Sequence, residues 1–393
     1  MRRSFEDETF SDEPDAFGET EEDLGPLVDT TFDAVVVSTD WTAETILNQI
    51  SRKTIDVNPS FQRRDAWDRR KKSRFIESLI VGLPVPQIVL AERKGRRGEF
   101  VVLDGKQRLL TLQQFTDPES GFKLTGLDVR SDLNGKSYAA LPESDRTAFE
   151  TQTVRTIVVR NWQREEFLYL VFLRLNTESV SLSPQELRQA LHPGPFVSFV
   201  NQYTAEHPDF YTLFKRKAPD FRMRDVELLV RFYAFSYFLP SYVGNLKPLL
   251  DRTCEILNKR WDSDGDQLRF DAESCRFAIA ITVNIFGANA FRRWNQTAYE
   301  RPFNRAVFDV MVFYGRDPAV RAAMLTNGAA VIDAFKEVCN DPEFSESITT
   351  TTKSREAILV RLVLWGEALQ RAIGLTLPIP RTSTEGRIAY AEA

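Results

Sequence analysis

The chain of 393 residues is long enough for two domains, since a single hydrophobic core rarely grows that large. Its 42% hydrophobic and 27% charged residues are ordinary for a globular protein, and no run of about 18 apolar residues occurs, which excludes a membrane-spanning helix. Cys254, Cys275 and Cys339 are scattered and odd in number, which favours buried thiols in a reducing cytoplasm over a disulfide framework or a zinc site.

The net charge of −5 is unevenly distributed along the chain. Residues 1–23 contain ten acidic and two basic residues, which leaves a net charge of about +3 on the rest. We expect residues 1–30 to be a disordered acidic tail. Positive charge is concentrated in Arg63, Arg64, Arg69, Arg70, Lys71, Lys72 and Arg74, and again at 93–97. Such clusters are typical of nucleic-acid binding, although a solvated helix face explains them equally well.

Periodicity predicts alternating strands and helices as far as about residue 182. In chain order these are a strand at Ala34–Ser38, a helix from Thr42 to Lys53, an extended segment at 55–61, a helix at Asp68–Val81, a hairpin of Gln87–Ala91 and Glu99–Leu103, a helix from Gly105 to Phe115, a polar excursion at 117–140, a strand at Val154–Arg160 and a helix at Arg164–Leu175. The segment 31–182 is therefore predicted to be an α+β domain.

Beyond residue 183 the strand-like runs give way to helical periodicity. The clearest patterns are Val226–Leu239, Cys275–Phe286, Val307–Tyr314 and Ala357–Ile373. We expect an all-helical domain at 183–380, followed by a flexible tail at 381–393.

The stretch most informative about function is Asp104-Gly105-Lys106-Gln107-Arg108, at the junction of a predicted strand and a predicted helix. Free backbone N–H groups at a helix start bind anions, and Gly105 would let a phosphate approach closely. Lys106 and Arg108 fall in the first helical turn, where the helix dipole disfavours cations, which suggests that an anion binds there. Alternatively, Asp104 and Gln107 form a capping box that needs no ligand.

Several segments resemble the N-terminal domain of GmrSD-type restriction endonucleases, a family with an Asp-Gly-Gln-Gln-Arg motif and a ParB/sulfiredoxin-like fold. The similar segments are 104–108, Phe61-Gln62-Arg63 with Trp67, 75–86, Arg174-Leu175-Asn176-Thr177, 182–188 and 222–228. They cover about residues 40–240 in order. The resemblance implies that the turn binds a nucleoside triphosphate, with or without Mg²⁺ and hydrolysis, in a bacterial anti-phage or DNA-modification-dependent restriction system.

The same resemblance assigns roles to individual residues. Gln62 and Arg63 would face the phosphates, Gln107 and Arg108 would hold phosphate oxygens, and Asn176 would brace the site or be a structural amide. Asp104 would position a metal ion or water as the catalytic residue. Lys106 replaces the family's usual Gln, so it would either add phosphate affinity or blunt hydrolysis, and nucleotide binding is favoured over turnover.

The family pairs this domain with a His-Asn-His nuclease, for which this sequence offers little. His192 and His207 each precede a proline in a segment expected to connect helices, and no metal site is predicted. We therefore expect a regulatory or sensor subunit without a nuclease of its own. Its expected partners are DNA, a separately encoded nuclease or other defence protein, and a second copy of the chain, with no membrane involved. Two alternatives stay open: a ParB-like DNA-binding module whose DNA contacts are Arg69, Arg70, Lys71, Lys72 and Arg74, and an interaction or toxin component with a vestigial nucleotide pocket.

Overall fold

The computed structural model describes residues 34–57, 66–175, 183–350, 352–382 and 388–390. A four-stranded mixed sheet organises the first part of the chain. Its strands are β1 (Val35–Thr42), β2 (Ile88–Arg93), β3 (Arg96–Asp104) and β4 (Thr153–Arg160), in the order β1-β4-β2-β3. The β1–β4 and β2–β3 pairs are antiparallel, whereas β2 and β4 run parallel. The predicted hairpin is confirmed, with its turn between Arg93 and Arg96.

Helices cover both faces of this sheet and account for most of the described residues that follow it. They are α1 (Ala43–Ser51), α2 (Arg69–Ile80), α3 (Lys106–Thr116), α4 (Glu143–Thr151), α5 (Glu165–Leu175), α6 (Pro184–Leu191), α7 (Pro195–Glu206), α8 (Pro208–Tyr211), α9 (Arg224–Phe238), α10 (Leu246–Lys259), α11 (Trp261–Phe286), α12 (Arg305–Gly315), α13 (Pro318–Thr326), α14 (Gly328–Cys339), α15 (Pro342–Ser347) and α16 (Arg355–Ile373). The α+β class predicted for the chain is therefore confirmed.

Side chains that alternate along the strands supply two separate cores. On one face, Leu90 and Val102 pack with apolar residues of α1 to α4, including Phe75, Ile76, Leu79 and Ile80 of α2. On the other face, Val89 and Leu103 pack with α5 and with Leu187 of α6. The sheet is thus the middle layer of three, and β3 delivers the chain to its edge at Asp104.

Three elements differ from the sequence-based expectations. Helix α4 had no predicted counterpart, because only Phe149 and Asp145 of its nine residues are buried and its apolar period is weak. Helix α11 begins at Trp261, well before the predicted Cys275, because acidic residues in its first turn favour a helix start despite Gly265. The predicted tail is not wholly irregular, since β5 (Pro380–Thr382) pairs with β6 (Ile388–Tyr390) in an antiparallel ladder.

The described residues fall into two compact units. One lies within Leu24–Leu239 and Lys247–Ala280, and the other within Pro240–Leu246 and Ile281–Ala393. The predicted boundary at residues 182 and 183 falls inside the first unit, and the division into 31–182 and 183–380 stays a prediction. The expected acidic tail at 1–30 lies outside the described residues. Within the described part, no helix is both long and apolar enough to cross a membrane.

Candidate functional site

The predicted junction of a strand, a turn and a helix at Asp104–Arg108 is confirmed. Strand β3 ends at Asp104, and Gly105 is the N-cap of α3 with a left-handed backbone (φ +95°). A Cβ at Gly105 would lie 3.0 Å from Ile88 Cγ1, so the position needs glycine for both its backbone conformation and its surroundings. No side chain caps the helix. The predicted Asp104–Gln107 capping box is therefore wrong, because Gly105 occupies the cap and displaces Asp104 by one residue.

Arg108 folds back beside the turn and joins three parts of it. Its Nη2 donates to Asp104 Oδ2 and to the backbone oxygen of Gln87, both at 2.8 Å. Its Nε and Nη2 lie 3.3 Å from the position that a Gly105 Cβ would take. Arg108 Nε is buried, and no acceptor for it occurs among the described residues. The guanidinium is thus held in place next to the glycine and still has a donor to offer.

Lys106 points away from the turn into a buried ion pair. Its Nζ lies 2.6 Å from Glu186 Oε1, and the two side chains are only 8% and 6% exposed. The other carboxylate oxygen of Glu186 accepts from the Ser183 backbone N–H at 2.7 Å and completes a capping box at the start of α6. Lys106 and Arg108 both have carboxylate partners within the protein. Their position in the first helical turn therefore does not by itself require a bound anion.

Gln107 connects the turn to the segment that leads into α2. Its Oε1 accepts from the backbone N–H groups of Ala66 at 3.2 Å and Trp67 at 3.3 Å. The Trp67 ring then packs edge-on against Phe75 of α2, with ring centroids 5.8 Å apart. The Gln107 side chain is therefore committed to backbone donors rather than pointing freely outward.

Three predicted binding residues, Gln62, Arg63 and Asn176, lie outside the described residues. The first described residues after the segments that contain them are Ala66 and Ser183. Ala66 contacts Gln107, and Ser183 contacts Glu186, the partner of Lys106. Ala66 therefore contacts the first turn of α3 directly, and Ser183 contacts it through Glu186.

The five basic residues predicted to contact DNA all lie on α2 and most are exposed. Arg70 and Arg74 both pair with Asp128, at 3.9 and 2.5 Å. Arg69 donates to the Gly121 carbonyl, Lys71 lies over the Trp67 ring, and Lys72 donates to Gln114. Arg69 and Lys72 also line a cleft of about 450 Å³ together with Asp117 and Glu119.

Both histidines occupy helix-connecting positions, as expected. His192 ends α6 and lies 3.4 Å from both Glu165 and Glu255. Burial raises the pKa of Glu165, while the neighbouring His192 acts to lower it. His207 stacks on Tyr203 and its Nδ1 lies 2.8 Å from that residue's carbonyl oxygen. Within the part of the chain that the structure describes, no group of three His, Cys, Asp or Glu residues could hold a metal ion.

The three cysteines are buried free thiols, as predicted. Burial raises the pKa of Cys275 and raises that of Cys339 to about 12. Thiols held in the protonated form are poor nucleophiles, which argues against nucleophilic chemistry at Cys275 and Cys339.

The partners of two buried glutamates were not predicted. Glu186 belongs to a Ser-x-x-Glu pattern that signals a capping box, but the pattern does not reveal its pairing with Lys106, 80 residues away. Buried Glu77 of α2 accepts from the backbone N–H groups of Val129 at 2.9 Å and Arg130 at 2.6 Å. Glu77 lies off the apolar stripe of α2, and the sequence gives no local signal of its backbone partners, which are 52 and 53 residues away.

The region that contains the turn is similar to a known protein family. Residues 43–193 match GmrSD restriction endonuclease, N-terminal domain. The matched range begins with α1, ends just after α6, and includes the turn, Glu186 and the basic helix α2. The similar segment at 222–228 falls outside the matched range. No curated protein and no solved structure matches the chain.

Proposed function

We propose that the turn Asp104–Arg108 binds the phosphates of a nucleoside triphosphate, in a nucleotide-dependent sensor or regulatory subunit of a DNA-modification-dependent restriction system. The observation that carries the proposal is the Arg108 guanidinium, which is fixed beside a left-handed glycine at an uncapped helix start. The match of residues 43–193 to the GmrSD N-terminal family supports the setting in a restriction system.

The chemistry of phosphate binding follows from the geometry of the turn. Backbone N–H groups of the first turn of α3 and the helix dipole attract an anion, and the absence of a Cβ at Gly105 lets the Arg108 guanidinium lie against the turn. Arg108 supplies charge-assisted hydrogen bonds from one side. Gln107 acts indirectly, since it fixes the turn to Ala66 and Trp67. In this proposal Gln62, Arg63 and Asn176 add further contacts, and the domain has a ParB/sulfiredoxin-like fold.

Asp104 is the candidate catalytic residue of the turn. Its side chain is 21% exposed, and one of its oxygens accepts from Arg108. Mg²⁺ at nucleotide sites is held by one or two carboxylates together with phosphate oxygens and water. The single Asp104 carboxylate fits an ion that arrives with the nucleotide, for which it would supply one oxygen or orient a water molecule.

Titration calorimetry with the four ribonucleoside triphosphates tests the proposal. Arg108→Ala should weaken triphosphate binding about ten- to a hundredfold for each hydrogen bond removed, whereas Arg108→Lys should weaken it less. Arg70→Ala is the matched control, because Arg70 is an exposed arginine on α2 that lies beside Asp128. Asp104→Ala should reduce hydrolysis more than binding. Equal affinity in the wild type and in folded Arg108→Ala would refute the proposal and favour a vestigial pocket in a protein-interaction component.

A second candidate function, DNA binding by α2, rests on the concentration of charge on that helix. Five cations lie on α2, and two of them pair with the single acid Asp128. If these side chains bind DNA phosphates, replacing Arg70, Lys71 and Arg74 by Ala should flatten the slope of log affinity against log salt by nearly one unit for each phosphate that the variant no longer neutralises. An unchanged slope would show that α2 is a solvated face. We also propose a nuclease partner and a homo-oligomeric state for the regulatory subunit. Pull-down tests the partner, and light scattering tests the oligomeric state.

A further inference from the structure

The buried pair formed by Lys106 and Glu186 links the candidate phosphate site to α6. Nζ of Lys106 and Oε1 of Glu186 are 2.6 Å apart, and both side chains are more than nine-tenths buried. Each residue lies in the first turn of its own helix, α3 for Lys106 and α6 for Glu186. The helix dipole therefore disfavours the lysine and favours the glutamate. The glutamate removes the electrostatic penalty that Lys106 would otherwise carry.

Stability alone is a weak explanation for such a pair. Moving two charges out of water costs several kcal/mol per ion, and apolar replacements of buried pairs are often neutral or stabilising. The turn contains a lysine directly after the glycine that a phosphate would approach. An ammonium without a carboxylate partner at this position would add a full positive charge to a phosphate site. The pair instead leaves the turn close to neutral, since Arg108 is likewise paired with Asp104.

We propose that Glu186 is the positioning residue that determines how much of the Lys106 charge the turn offers to a phosphate. This inference rests on the proposed nucleotide site. With Glu186 ionised, Lys106 is directed towards α6 and phosphate affinity comes from the backbone and Arg108. When the carboxylate charge is absent, the lysine gains by turning towards a bound phosphate. The effect grows with the number of phosphate charges.

Glu186→Gln is the appropriate perturbation because it removes the charge and preserves the cap. Its amide oxygen can still accept from the Ser183 N–H, which the wild-type carboxylate does through Oε2. Asp251→Asn is the control: Lys247 and Asp251 form another mostly buried lysine–carboxylate pair with a 2.6 Å separation on α10. Asp251 also accepts from Arg188 of α6 at 2.7 Å, so this variant disturbs α6 and leaves the partner of Lys106 in place. Both variants should unfold more easily than the wild type.

Calorimetry of the full chain with a nucleoside triphosphate and the matching monophosphate provides the test. Glu186→Gln should bind the triphosphate about tenfold more tightly, the effect of one added charge-assisted hydrogen bond, with a smaller gain for the monophosphate. Asp251→Asn should show no such gain, and adding Lys106→Gln to Glu186→Gln should abolish it. A purely structural pair would change stability without changing this selectivity.

The possible failures can be told apart. If the wild type binds triphosphate and folded Glu186→Gln binds it equally or more weakly, the role of Glu186 is refuted and the nucleotide site stands. If neither protein binds any nucleotide, both proposals fail. If Glu186→Gln does not fold, the double variant Glu186→Gln with Lys106→Met takes its place in the test, because it removes both buried charges together. Triphosphate affinity in that variant more than tenfold below the wild type would mean that Lys106 binds phosphate while paired, which also overturns the inference.

Discussion

Replacing Gly105 by alanine tests whether the turn depends on glycine for its backbone, its surroundings, or both. Gly105 has φ +95°, a conformation that costs a residue with a Cβ about 1–2 kcal/mol. The added carbon would also lie 3.0 Å from Ile88 Cγ1, and crowding of a well-packed site typically costs a further ~1–3 kcal/mol. We therefore expect Gly105→Ala to lower the free energy of unfolding by about 2–5 kcal/mol.

Gly98→Ala separates the two contributions. Gly98 also has a positive φ (+82°), but no atom lies within 4 Å of the position that its Cβ would take. Its substitution should cost only the backbone penalty of about 1–2 kcal/mol. Urea unfolding followed by circular dichroism measures both variants, and the comparison is valid where the slope against urea is unchanged.

The same pair of variants predicts a difference in ligand binding. A Cβ at Gly105 would lie 3.3 Å from Nε and Nη2 of Arg108 and would displace the guanidinium from the turn. Folded Gly105→Ala should therefore bind triphosphate more weakly, whereas Gly98→Ala should bind as the wild type does. Equal stability losses in the two variants would show that Ile88 yields to the new carbon, and that the packing argument is wrong.

Three further predictions concern other parts of the chain. Glu77→Gln should lower the free energy of unfolding by about 1.5–3 kcal/mol, because it weakens charge-assisted bonds to the backbone of Val129 and Arg130. Denaturant titration tests this, with Ser78→Ala as the control variant. Although burial acts to raise it, Arg188 and Lys247 hold the pKa of Asp251 below its ordinary value. The stability that Asp251 contributes is therefore present at neutral pH and lost as the pH falls below about 4, so Asp251→Asn should match the wild type only in acid. The purified chain alone should not nick plasmid DNA with Mg²⁺ or Mn²⁺, and nicking by a preparation free of contaminating nuclease would contradict this.

Much of the sheet and its flanking helices could be predicted because each element carries its own periodic signal. The apolar positions of α2 recur at helical spacing, and the two prolines after it stop the helix, so the predicted and observed bounds differ by one residue at each end. The strand before Asp104 and the glycine after it likewise define the turn locally. These features depend on neighbours within a few residues, which a sequence displays directly.

The partners of the charged residues could not be predicted in the same way. Lys106 and Arg108 at a helix start suggested an external anion, but Glu186 and Asp104 supply the negative charge. Glu186 is 80 residues away in sequence, and only the packing of α6 beside β3 brings it to the turn. Helix α4 was missed for a different reason: its apolar pattern is weak, and the packing of Phe149 into the core compensates for that weakness.

The pairing of charges at the turn predicts that the two proposed binding functions differ in their dependence on salt. Lys106 with Glu186 and Arg108 with Asp104 leave the turn near neutrality, and the mostly buried pairs are weakly screened. Nucleotide affinity then comes from backbone N–H groups and directed bonds of Arg108, and it should change little between about 50 and 200 mM salt. DNA binding by the mostly exposed cations of α2 should instead fall steeply over the same range. Measuring both affinities in one salt series tests this, with Arg70→Ala expected to flatten only the DNA slope. A steep salt dependence of nucleotide affinity in the wild type would mean that Lys106 or another cation of the chain binds the phosphates through its charge.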